Sequence, residues 1–167
     1  GRSVIGEMNR LGIMIDISHA SDEAQLQIIE SSAAPVVASH HGMRHLSSSP
    51  RTLSDAVLKA LAAKGGLVGI HSSAGFLSDA FVQWAAKRPN PEAADGRWYD
   101  RLPPPGPRDD GKYIAALDAE NRRRWRSEYE KTWKQRQQDV LDAGGPLPTV
   151  DDWANHVAYA VSLAGED

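Results

Sequence analysis

Ile13-Met14-Ile15-Asp16-Ile17-Ser18-His19 is a short apolar run, rich in β-branched residues, that stops at a polar Ser-His pair. Such a run reads as a buried strand. The pattern recurs at Pro35-Val36-Val37-Ala38-Ser39, which ends at His40-His41, and at Leu67-Val68-Gly69-Ile70, which ends at His71. Between the runs lie segments of helical character. Val4, Ile5, Met8 and Leu11 form a stripe at helical spacing, closed by Gly12. Ser21 is placed to cap a second helix, with Asp22 and Glu23 in its electropositive first turn and Leu26, Ile28 and Ile29 on its apolar side. Leu53 to Lys64 predicts a third, with Val57, Leu58 and Leu61 inward and Gly65-Gly66 at its end. The order α-β-α-β-α-β with short connections predicts parallel strands joined by right-handed crossovers.

In parallel α/β folds, functional groups collect at the carboxyl ends of the strands. His19, His40 or His41, and His71 all fall there, and Arg51 follows in the polar loop from Gly42 to Thr52. Neutral imidazole is a preferred zinc ligand, and adjacent strands about 4.8 Å apart can aim two such rings at one ion. Two histidines underfill a catalytic zinc site, which takes three protein ligands. Asp16 lies three residues before His19, deep in the predicted strand and on its other face. Period-two alternation should send His40 and His41 to opposite faces. The planar fork of Arg51 suits a carboxylate. A strand-end histidine can equally be a hydrogen-bonded structural residue, so the pattern alone leaves both readings open.

Other classes of chemistry are absent from the sequence. It has no cysteine, hence no disulfide, thiolate ligand or cysteine nucleophile, and its redox compartment stays open. Gly-x-Ser-x-Gly, P-loop and dinucleotide glycine motifs do not occur. A net charge of -3 gives no reason to expect a nucleic-acid partner. No apolar run approaches the roughly 20 residues of a membrane helix. The 41% hydrophobic content is enough for one core.

After Phe76 the character changes. Ser78 to Gly111 holds six prolines, with Trp84, Trp98 and Tyr99, and Arg101 to Gly111 excludes regular structure. Tyr113 to Leu141 predicts a mixed-charge helix. Acidic neighbours around Arg122-Arg123-Arg124 mark a solvated face rather than a nucleic-acid contact, and Trp125, Tyr129 and Trp133 mark a packed one. Residues 78–147 therefore read as an insertion between core elements, suited to a lid or to a homo-oligomer contact. Thr149-Val150-Asp151-Asp152 has the form of a capping box, opening a helix that Gly165 closes.

Glu7-Met8-Asn9-Arg10-Leu11-Gly12-Ile13-Met14-Ile15-Asp16-Ile17-Ser18-His19-Ala20-Ser21 resembles the signature block of the membrane (renal) dipeptidases. Pro35 to His40 resembles their next block, 21 residues on from His19 to His40. Arg51-Thr52-Leu53-Ser54-Asp55 resembles their Arg-Asn-x-x-Asp segment, with Thr52 where Asn is usual. Gly65 to Ile70 and Asp152 to Gly165 resemble a later strand and the helix before the last barrel strand. The likeness covers residues 1–77 and 149–167.

This resemblance implies a binuclear zinc peptidase on a (β/α)8 TIM-type barrel. The chain would be a partial catalytic domain of about three consecutive parallel strands with their helices. His19 and His40 correspond to the two histidines on one of two zincs. Arg51 corresponds to the arginine that receives the C-terminal carboxylate of a dipeptide, whose carbonyl a metal-bridged water attacks. No catalytic residue falls on this chain: the bridging Glu, the His-x-Asp and a late Asp would lie outside it. The expected consequences are an isolated chain without turnover, poor solubility from open sheet edges, and a need for the missing barrel segments. Alternatives are a non-catalytic interaction domain of dipeptidase ancestry and another barrel metallohydrolase. Compartment is not legible.

Overall fold

The computed structural model describes residues 1–87 and 119–165. The expectations on Trp98, Tyr99, the 101–111 segment and residues 113–118 lie outside them, as do the side chains of Arg122, Arg124, Trp125 and Tyr129. Two compact units are present, residues 1–82 with 148–167, and residues 83–147.

The first unit begins with α1 (Arg2–Arg10), which buries Ile5 and pairs Arg10 with Glu7. Gly12, at φ 69°, turns the chain, and the Ile13 amide closes the turn on the Met8 carbonyl at 2.9 Å. Ile15 and Ile17 follow as core residues, 3% and 0% exposed. Helix α2 (Asp22–Ser31) starts where the Ser21 hydroxyl accepts from the Ala24 amide, with Asp22 and Glu23 favoured at its positive end. Strand β1 (Val37–His41), helix α3 (Asp55–Ala63) and strand β2 (Leu67–Ile70) complete a parallel β-α-β unit. Val37 lies opposite Leu67 and His41 opposite Ile70, with an irregular step between Ala38 and His41. Gly69 is required by the sheet, since a Cβ there would lie 2.2 Å from the Ser39 carbonyl oxygen.

Two strands, not three, are regular among the described residues. The Ile13–Ile17 run contributes only an isolated parallel bridge between Asp16 and Val37. The Ile17 amide donates to Val37 at 2.8 Å and the Val37 amide to Ile15 at 2.9 Å. The ladder stops there because the Ser18 amide is taken by the Asp16 carboxylate, which bends the chain away. Strand β1 also begins two residues later than the sequence suggests, since Pro35 has no N–H to give and the Ala34 carbonyl accepts from the Ser32 hydroxyl. The chain is an α/β protein rich in helix. The described residues do not close a barrel.

Behind the strands, Ile17, Ile29, Val36, Ala38, Val57, Leu58 and Leu61 form one core with Met43 and Leu53. Each large aliphatic buried there contributes about 1.5–3 kcal/mol. Helices α4 (Ala74–Leu77) and α5 (Asp79–Ala86) follow β2. Helix α6 (Ala119–Asp142) belongs to the second unit, and α7 (Val150–Ala164) comes after it, opened by a complete capping box in which Thr149 and Asp152 bond reciprocally. Helix α7 is tied to the strand ends by His156. The Met43 amide donates to its Nδ1 at 2.7 Å, and its Nε2 donates to the Leu77 carbonyl at 3.1 Å.

The second unit contains α6 (Ala119–Asp142), an overwhelmingly polar helix. It ends at Gly144, φ 70°, and the Gly145 amide returns to the Val140 carbonyl at 2.8 Å. Gly145 packs so closely on the Trp84 indole that a Cβ would come within 2.5 Å of it.

Candidate metal centre

His19 sits at the third position of a β-turn in which the Ala20 amide reaches the Ile17 carbonyl at 3.2 Å. Its φ of 72° is left-handed, the only such non-glycine among the described residues. That conformation costs on the order of 1 kcal/mol or more and persists where surrounding structure enforces it. Here the enforcing group is Gln25, 3% exposed, whose amide donates to the carbonyls of Ile17 and Ala20 at 3.3 and 3.0 Å. The turn holds the imidazole against the end of β1.

His40 meets it there. The two Nε2 atoms are 2.8 Å apart, and the rings are edge-on with centroids 4.9 Å apart. The Arg51 guanidinium closes the third side, its terminal nitrogen 3.4 Å from His40 Nε2. The guanidinium carbon lies 5.6 Å above the buried Phe76 ring, which orients the fork. Among the described residues Arg51 has no carboxylate partner.

The backbone of Arg51 is fixed from beneath. His41, 1% exposed, donates from Nδ1 to the Arg51 carbonyl at 2.9 Å. Thr52, also buried, donates its hydroxyl to the Ser47 carbonyl at 3.0 Å, so the position where the resembled motif has Asn is occupied by a satisfied group. Arg44 pairs with Asp22 at 2.6 and 2.9 Å and bonds the Thr52 carbonyl, joining this loop to α2.

Strict alternation fails at the end of β1. The irregular step in register leaves the rings of His40 and His41 nearly parallel, 22° apart with centroids separated by 6.2 Å, instead of on opposite faces. The same step brings Ser39 Oγ to 2.7 Å from His40 Nδ1. His71 stands at 6.0 Å, centroid to centroid, from His40, and its Nδ1 accepts from the Ser73 amide. It is a wall of the cluster.

Asp16 and Ser39 are the residues that the sequence pattern does not assign to the site. Asp16 reaches across from the first run. Its carboxylate takes the Ser39 hydroxyl and the amides of Ser18 and Ser39, the amides at 2.9 and 3.2 Å. Burial alone would raise its pKa, but these hydrogen bonds hold the carboxyl well below its ordinary range. Short polar residues beside a strand-end histidine are the one sequence signal that could have marked them.

Burial is the main cause that lowers the pKa of His19, reinforced by the Arg51 charge and His40 and opposed by Asp16. Burial and the neighbouring charges lower His71 likewise. His41 is pushed down to about 4 by burial, against its bond to the Arg51 carbonyl. Neutral rings are the form that binds metal.

His41 also gives a stability prediction. The folded imidazole protonates near 4 and an unfolded one near 6.5, so the unfolded state binds more protons between those values. The stabilisation is complete above about 6.5 and is lost as pH falls to about 4, on the order of 3 kcal/mol in all. His156, also lowered by burial, acts in the same direction. Urea unfolding of the full-length protein should show this slope. His41→Asn, which keeps a donor for the Arg51 carbonyl, should flatten it.

No group of three His, Cys, Asp or Glu side chains converges among the described residues. Two Nε2 atoms do. A tetrahedral zinc holds its nitrogens at about 2.05 Å, hence about 3.3 Å from each other. Rotations that part the rings by about 0.5 Å bring His19 and His40 to that separation, so the pair fits one edge of a zinc site.

The fold and this cluster define a parallel α/β protein whose imidazoles and arginine gather beyond the carboxyl ends of its strands. The family model of membrane dipeptidase, peptidase family M19, matches residues 1–167, and the chain belongs to that family. Dipeptidase 3 from Rattus norvegicus is 43% identical over 77 residues, which cover 46% of this chain and 16% of the relative. Dipeptidase verJ from Clonostachys rogersoniana is 42% identical over 67 residues, 40% of this chain and 17% of the relative. The chain thus spans about a sixth of the curated relatives it matches. The crystal structure of the probable dipeptidase PvdM from Pseudomonas aeruginosa covers 99% of this chain and 39% of that one, with TM-score 0.61 and 23% identity, a likeness of fold.

Proposed function

We propose that this chain is the part of a metal-dependent dipeptidase that supplies two ligands of one zinc and the clamp for the substrate carboxylate. The observation that carries the reading is the convergence of His19 Nε2, His40 Nε2 and the Arg51 fork, which has no carboxylate partner among the described residues, at one point beyond β1. Family membership supports the reaction class.

The complete protein would be a (β/α)8 barrel with two zincs, and the remaining ligands, a bridging Glu and the proton-transferring Asp would come from segments outside residues 1–167. The exposure of Met14 (71%), in the first apolar run, and of Leu67 (63%), the first residue of β2, supports further strands packing beside them. On this reading residues 1–167 alone turn over no dipeptide. On this reading residues 78–147 are an insertion between core elements, with a role as a lid or in self-association.

The chemistry a bound zinc supplies is Lewis-acid polarisation of the scissile carbonyl and a nucleophilic water near neutral pH. The chain's own residues do the rest. His19 and His40 present their Nε2 atoms, and Arg51 receives the terminal carboxylate through two parallel N–H donors. Phe76 and the His41-to-carbonyl bond hold Arg51 still, so the peptide bond is presented in one position.

The test uses the full-length protein with a dipeptide and its C-terminal amide. Arg51→Gln should lower kcat/KM for the dipeptide roughly 100-fold, the loss of about 3 kcal/mol from a charge-assisted pair. The amide should already be poor for the wild type and change little with the variant. An equal loss on both substrates would remove Arg51 from the carboxylate.

A further inference from the structure

Asp16 and Ser39 are joined to His40 by hydrogen bonds whose directions are forced. An ionised carboxylate only accepts, so the Ser39 hydroxyl donates its one proton to Asp16 Oδ2. That proton is then unavailable to His40 Nδ1, 2.7 Å away. The imidazole must donate to Ser39 Oγ from an Nδ1–H, which leaves the lone pair of the neutral ring on Nε2, the atom facing His19. The two amides on Asp16 Oδ1 fix which way the carboxylate faces, and the His40 amide, donating to Ser18 Oγ at 3.3 Å, ties down the backbone at the same point.

We infer that Asp16 and Ser39 are positioning residues that set the tautomer and orientation of His40, so that Nε2 is presented as a metal-binding lone pair. The hydrogen-bond chain Asp16–Ser39–His40 spans two strand segments that are 23 residues apart in sequence. Outer groups of this kind fix the ring that a metal meets, and removing them typically costs 10–100-fold in metal affinity. The inference rests on the reading of His40 as a ligand.

Asp16→Asn is the informative variant. Its Oδ1 keeps both amide bonds, but its NH2 now faces Ser39 Oγ and donates to it. Ser39 is then free to turn its proton to His40 Nδ1 at 2.7 Å, the nearer of its two remaining partners beside Ser18 Oγ at 3.3 Å, and the neutral ring then carries its hydrogen on Nε2. Long-range proton–nitrogen NMR on histidine-labelled, metal-free full-length protein reads the tautomer directly. Zinc affinity is measured separately by competition with a chromophoric chelator.

The expected result is Nδ1–H in the wild type, Nε2–H in Asp16→Asn, and zinc bound 10–100-fold more weakly by Asp16→Asn and Ser39→Ala. Ser39→Thr, which keeps the hydroxyl, should bind as the wild type does. A wild-type His40 with its hydrogen on Nε2, or an unchanged tautomer in Asp16→Asn, overturns the inference. So does zinc affinity within twofold of wild type in both weakened variants. Should His40→Ala bind zinc as tightly as the wild type, the ligand reading itself fails and this inference falls with it. That variant tells the two failures apart.

Discussion

His40→Ala in the full-length protein is expected to lower kcat/KM for a dipeptide by roughly 1,000-fold or more, with the fold intact. The magnitude follows from losing one of two metals whose electrostatic contribution is worth several kcal/mol, at 1.36 kcal/mol per tenfold. His40 is half-buried at the strand end, and its ring contacts His19, Ser39 and Arg51 but fills no core position. Its removal should therefore change unfolding by less than about 1 kcal/mol, as for a site on the rim of the core. A variant that lost activity only in proportion to lost folded protein would make His40 structural. Steady-state kinetics beside urea unfolding separates the two outcomes.

The second large effect concerns stability, at a histidine remote from that chemistry. His156 is fully buried and uses both nitrogens, accepting from the Met43 amide and donating to the Leu77 carbonyl. His156→Leu fills much of the volume but leaves a buried N–H and a buried C=O without partners, each at about 1–3 kcal/mol. The expected loss is about 2–6 kcal/mol by urea unfolding. His156→Asn can place Oδ1 where Nδ1 was and recover the Met43 bond, so it should retain roughly half. Indistinguishable curves for His156→Leu and wild type would show that α7 is not held through this ring.

What the sequence made legible follows from what each feature depends on. Apolar runs ending in histidine are local, and they placed His19 and His40 together because parallel strands bring equivalent ends to one edge. The Ser21 cap and the Thr149-Asp152 box are equally local and formed as read. The third strand did not form because Asp16 spent its side chain on the Ser18 amide, a competition that hydrophobic patterning does not register. The same carboxylate, set aside for facing away from the metal, reaches His40 through Ser39 by way of a register irregularity in β1 that alternation rules exclude. The clamp at His156 joins residues 113 apart and leaves no trace in either local pattern.

The account turns on His19 and His40 holding metal, and elemental analysis of the purified full-length protein tests that most directly. The wild type should carry about two zincs per chain, and the His19→Ala/His40→Ala double variant about one, with the fold unchanged by circular dichroism. Equal zinc in both proteins would contradict the account.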